Sequence, residues 1–92
     1  MANYGHIRRL YATWLRIQNG CNDRYHSTFK QYGGRGIVVC EDWDDYLVFR
    51  DWAMSQGYDP TAPRGVCTVQ RHDPDGDFDP ENCYIRWKNP HQ

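Results

Sequence analysis

Ninety-two residues, 39% of them hydrophobic and 15% aromatic, are enough for one small core and exclude a second domain. No apolar run approaches the roughly 20 residues of a bilayer-spanning helix, and the segment after Arg8 and Arg9 is too polar for a signal peptide, so a soluble, intracellular chain without membrane contact is expected. The net charge of −1 excludes a uniformly basic nucleic-acid binder but conceals a strong asymmetry.

Residues 1–36 carry six basic groups (Arg8, Arg9, Arg16, Arg24, Lys30, Arg35) against the single acid Asp23. Residues 37–60 carry six acids against Arg50. Nine of the eleven cations are arginine, the side chain suited to bidentate phosphate contacts and to stacking on bases. This dipolar pattern fits phosphates at one end and a basic protein at the other; it also fits an ordinary solvated mosaic of charge.

In chain order, Ile7, Leu10, Tyr11, Trp14 and Leu15 follow the spacing of an amphipathic helix whose other face carries Arg8, Arg9 and Arg16, with Asn19-Gly20 as its stop. Cys21 to Gln31 is polar and irregular, anchored by Tyr25 and Phe29, with His26 as a surface loop residue. Tyr32-Gly33-Gly34-Arg35-Gly36 follows. Its glycines allow either close approach of a phosphate to Arg35 or a tight turn into a strand at 37–40, and it lacks the Lys-Ser/Thr ending of a nucleotide-binding loop.

Asp42 then reads as the N-cap of a second helix with Asp44 and Asp45 in its first turn. Trp43, Tyr46, Leu47, Phe49, Trp52 and Ala53 form its aromatic face, and Gly57 ends it. After a proline-containing loop, strands at 66–72 and 84–88 flank an acidic turn, Pro74-Asp75-Gly76-Asp77. The alternating acids Asp73, Asp75, Asp77, Asp79 and Glu81 suit local turn caps or a weak divalent-cation site, although they lack the EF-hand spacing.

Cys21, Cys40, Cys67 and Cys83 are scattered, with no Cys-x-x-Cys knuckle. Buried free thiols are the expectation, with a zinc site on Cys21, Cys40, Cys83 and a histidine, or two disulfides, as alternatives. No cofactor is otherwise implied.

Tyr32-Gly33-Gly34-Arg35-Gly36-Ile37, Val39-Cys40, Trp43, Trp52-Ala53, Gly57-Tyr58, Arg71, Asp73, Gly76, Pro80-Glu81-Asn82-Cys83 and Arg86-Trp87 together resemble a family of short phage and prophage proteins described as HNH-endonuclease-like. The resemblance covers about residues 10–88 and implies a ββα-metal-like hairpin. A live member would use a first His, a structural Asn and a later His on one divalent cation. Arg71 stands where the first His is expected, followed by His72-Asp73; Asn82 matches the structural Asn; the run Tyr84 to Trp87 replaces the closing helix, and His91 lies at the chain end.

The expected fold is therefore α+β: residues 1–92 as a single HNH-like domain, two amphipathic helices on a small, mainly antiparallel sheet from 37–40, 66–72 and 84–88. The resemblance implies a degenerate nuclease, hence a non-catalytic phage protein that binds nucleic acid or a host ribonucleoprotein in the host cytoplasm, as an anti-CRISPR-type inhibitor does. Its contacts would come from Arg8, Arg9, Arg16, Arg24, Lys30, Arg35, Arg71 and Arg86. Two alternatives stand beside it: an active metal-dependent endonuclease using His72, Asp73 and Asn82, and a regulatory protein with a protein-only partner.

Overall fold

In the computed structural model, which describes the backbone of residues 4–88 and side chains from residue 8, two α-helices and a two-stranded antiparallel sheet surround one core. The expected α+β class is the one found. Helix α1 (Tyr4–Asn22) has Arg8, Arg9, Leu10, Ala12, Leu15, Arg16 and Gln18 as its good helix formers, and its buried stripe runs Leu10, Ile17, Cys21, with Trp14 half-buried beside it. The expected stripe was only partly placed. Tyr11 and Leu15 lie on the exposed flank, and the side chain of Ile7 is outside the described residues.

Helix α1 also runs through Asn19-Gly20 instead of stopping there. A Cβ at Gly20 would lie 2.6 Å from Tyr32 Cδ2 and 2.7 Å from Thr28 Oγ1, so this glycine serves close packing. That packing offsets the roughly 1 kcal/mol cost of glycine inside a helix. Residues 23–36 then wind through short 3₁₀ turns at Phe29–Gln31 and Gly33–Arg35. Tyr25, expected as an anchor, is 87% exposed, whereas Phe29 is half-buried. Gly36, at φ 85°, turns the chain into Ile37.

Residues 37–40 do not form the expected third strand. They make one isolated parallel bridge, Val39 with Phe78: Phe78 N donates to Val38 O (2.9 Å) and Cys40 N to Phe78 O (3.0 Å). The next rung of such a ladder would need an N–H from residue 80, which is proline.

Nor is Asp42 the N-cap of the second helix. Glu41–Asp44 is a 3₁₀ turn, and α2 (Tyr46–Ser55) begins after Asp45, whose carboxylate accepts from Leu47 N (2.9 Å). The delay follows from Trp43, which is 1% exposed. Its carbonyl accepts from Trp14 Nε1 (2.7 Å) and Gln18 Nε2 (2.9 Å) of α1, tying the turn to that helix. Gly57 ends α2 as expected. At φ 92° it lets its own N–H reach Met54 O and that of Tyr58 reach Ala53 O (3.0 Å), with Tyr58 and Ala53 both buried.

Trp43, Phe49 and Trp52 fill the centre, Trp43 meeting Phe49 edge-on at 4.9 Å. Strands β1 (Cys67–Arg71) and β2 (Cys83–Trp87) pair in the register Cys67↔Trp87, Val69↔Ile85, Arg71↔Cys83, within a residue of the expected spans. Cys67 and Cys83 are buried on the inner face, while Thr68, Gln70, Tyr84 and Arg86 share the other. Among the described residues no helix is long and apolar enough to cross a membrane.

Candidate nucleic-acid interface

The arginine face of α1 is not isolated on the surface. Arg8, Arg9, Ala12, Thr13 and Arg16 border a cleft of about 480 Å³ whose opposite lip is Arg64, from the loop between α2 and β1. A narrower cleft of about 290 Å³ continues from it, where Arg9, Thr13, Arg16 and Arg64 meet the consecutive run Cys67, Thr68, Val69 and Gln70. A consecutive run, rather than alternate residues, means that the free edge of β1 forms this wall. Among the described residues no Asp or Glu lines either cleft.

Arg9 is held in place, its Nη1 donating to Ala62 O across the loop. Arg8 and Arg16 are exposed and about 12 Å apart along the helix. At that spacing water and salt screen their mutual repulsion, so both guanidinium groups remain open to an anion lying between them. Rigid backbone on two sides and forked donors on the third suit a chain of phosphates.

Arg64 escaped the sequence reading because only tertiary packing brings it opposite α1. The available signal was its setting, Pro63-Arg64-Gly65, which resembles that of Arg35 among glycines. The remaining expected contacts are dispersed. Arg86 is exposed on the outer face of β2 opposite Thr68, Arg24 lies over the Tyr25 ring at 5.6 Å, and Lys30 sits exposed in a 3₁₀ turn.

Two arginines expected at the interface are engaged elsewhere. Arg35 is ion-paired with Asp75. Arg71 is half-buried, its guanidinium 4.5 Å above Phe78 and 5.1 Å from Tyr32, with Nη1 donating to Gly76 O (2.8 Å). Together they join the glycine turn to the hairpin. The tight-turn reading of Gly33-Gly34-Arg35 accounts for its contacts: a Cβ at Gly33 would lie 2.2 Å from Cys21 O.

The hairpin residues that an endonuclease would need are adjacent but individually occupied. Asn82 clasps the turn. Its Oδ1 accepts from Asp73 N (3.0 Å), and its Nδ2 donates to Asp73 O (3.0 Å) and Asp77 O (2.9 Å). Asp73 accepts from Asp75 N, Asp77 from Val38 N, and Asp79 from Glu81 N and Asn82 N. The ring of His72 stacks on Tyr84 at 4.3 Å and 19°. His91 lies outside the described residues.

Among the described residues, no group of three or more His, Cys, Asp or Glu side chains is placed to hold a metal ion, whether at Cys21, Cys40 and Cys83 or along the acidic turn. All four cysteines are free thiols. Burial pushes the Cys21 and Cys83 thiols up to about 11 and raises those of Cys40 and Cys67. That suppresses the free thiolate that nucleophilic chemistry requires. No family model, curated protein or solved structure matches this chain.

Proposed function

We propose that this protein is a non-catalytic nucleic-acid-binding module that grips a phosphate backbone in the cleft between α1, Arg64 and the edge of β1. The observation that carries this reading is the convergence of Arg8, Arg9, Arg16 and Arg64 without a lining carboxylate. In the setting implied by the resemblance to short phage proteins, the bound nucleic acid belongs to a host ribonucleoprotein, and occupying it inhibits a defence complex of the anti-CRISPR-targeted kind. The acidic 41–51 segment then faces the protein part of that complex.

Fluorescence anisotropy with labelled oligonucleotides across a salt series tests the cleft. Neutralisation of four phosphates by these arginines predicts that log K falls against log salt with a slope of about −3 for a single strand. Arg16→Glu with Arg64→Glu should reduce affinity at least a hundredfold and flatten that slope. Undiminished binding by the double variant rejects the cleft. If substitutions at Asp44 and Asp51 instead abolish capture of the host complex, the protein-only partner is the better description.

One observation favours the endonuclease: Asn82 clasps its hairpin as a ββα-metal unit requires. Plasmid nicking with Mg²⁺, Mn²⁺, Ni²⁺ or Zn²⁺ that disappears in His72→Ala would establish it.

A further inference from the structure

The cleft does not end at Gln70. Directly opposite residues of an antiparallel pair share a face, so the register sets Thr68 beside Arg86 and Gln70 beside Tyr84 on the side of the sheet away from the core. His72 continues the same alternation beyond β1, and its N–H donates to Asn82 O (2.7 Å), holding the chain in line with the strand. Its ring lies nearly parallel to that of Tyr84, 4.3 Å away, and the residue is exposed.

A diagonal aromatic pair stabilises a hairpin by itself. Three neighbouring features go beyond that role. Arg86 stands exposed on the same face. Gln70 donates its amide nitrogen to Thr68 Oγ1 (3.1 Å), which fixes the side chain and turns its carbonyl oxygen into a positioned acceptor. Thr68 and Gln70 themselves line the arginine cleft. From Gln70 to His72 is one pleat repeat, roughly 7 Å, about one step of an extended nucleotide.

We infer that the His72–Tyr84 stack is a platform for an unpaired base, so that the ligand of the cleft is a single-stranded nucleic acid. This rests on the phosphate-gripping reading of the cleft and specifies its ligand. The backbone runs along Arg16, Arg64 and the β1 edge; one base leaves that track and stacks on the outer face of His72. Gln70 accepts from its edge, and Arg86 contacts the following phosphate. A duplex is excluded because its bases are already stacked and their faces covered.

Labelled oligo-uridine, its DNA counterpart and a duplex of equal length provide the test, with the full chain at fixed salt. The single strands should bind at least tenfold more tightly than the duplex. His72→Ala and Tyr84→Leu should each weaken single-strand binding about tenfold while leaving the salt slope unchanged. His72→Phe, which keeps a ring without the imidazole, should restore binding, an effect that a purely electrostatic role for His72 does not produce; a circular dichroism spectrum and urea midpoint of His72→Ala close to those of the parent protein separate base stacking from a folding role. Preference for RNA over DNA would place a 2′-hydroxyl contact at this face; equal binding would mean stacking and phosphate contacts alone.

If the duplex binds as tightly as the single strands, or both ring variants bind normally while Arg16→Glu abolishes binding, the platform is wrong and the cleft stands. If none of the three nucleic acids binds, the cleft reading falls and the platform with it.

Discussion

The hairpin turn and the arginine cleft are both dense in polar and charged side chains and have opposite physical states. Between Arg71 and Asn82 almost every polar group is paired inside the protein: Asn82 with the backbone of Asp73 and Asp77, Asp79 with two N–H groups, Arg71 with Gly76 O and two rings. Between α1 and Arg64 the arginines instead converge on open space, and among the described residues Arg9 is the one of them tied to the backbone. A group whose hydrogen-bonding capacity is spent on its own fold contributes stability; a group held but unpaired is available to a ligand. Which arginines belong to which class is decided by tertiary neighbours, not by residue type.

That contrast breaks most visibly at Arg71. Arg71→Ala removes a charge-assisted hydrogen bond and a cation sandwiched against Phe78 and Tyr32, and should cost about 3 kcal/mol in urea unfolding. Asn82→Ala strands two backbone groups of Asp73 and should cost about 2 kcal/mol. Arg71→Lys should recover little, because an ammonium keeps the charge but not the planar face. Neither Arg71 variant, where folded, should change the salt slope of nucleic-acid binding. Arg16→Glu should do the reverse, leaving the unfolding midpoint in place and lowering the slope. If Arg71→Ala lowers the salt slope without loss of stability, the division between the two regions is wrong.

Legibility in the sequence follows the same division. Both helices and the hairpin were readable because their signals are local: apolar spacing in α1 and α2, Gly57 as a left-handed stop, an acidic turn between two apolar runs. Asn82 was singled out only through the family resemblance, although its partners lie just five and nine residues away. The failures at Gly20, residues 37–40, Asp42 and Arg64 each required a distant partner. Gly20 looked like a stop until Tyr32 and Thr28 were placed against it, and 37–40 looked like a strand until Pro80 stood opposite. Asp42 looked like a cap until α1 engaged the Trp43 carbonyl. Arg64 joined the cleft only when its loop folded across α1.

The thiols beneath the hairpin sharpen the comparison further. Burial, the dominant cause, raises Cys21 and Cys83 from 9.0 to about 11. The folded state therefore holds those protons more tightly than the unfolded chain. The associated stability is fully present below about pH 9 and is lost as pH rises from there to about 11. Urea midpoints should be flat with respect to these groups at neutral pH and fall across that window. Cys83→Ala, where folded, should reduce the fall, and a thiol reagent at neutral pH should react rapidly only after denaturant is added.

The smallest effect belongs to the arginine that the sequence makes most conspicuous. Arg35 and Asp75 are paired, but their side chains keep 46% and 74% of their exposure, so water and salt screen the interaction. Arg35→Ala should shift stability by about 0.5 kcal/mol or less. Gly36→Ala, one residue on, should cost about 1–2 kcal/mol because φ is 85° there. The glycines of this turn thus matter for backbone geometry and close packing, while the guanidinium between them is nearly dispensable to the fold. If Arg35→Ala nevertheless weakens oligonucleotide binding as strongly as Arg16→Glu, the ion pair opens to a ligand and the interface extends from the cleft across to the hairpin turn.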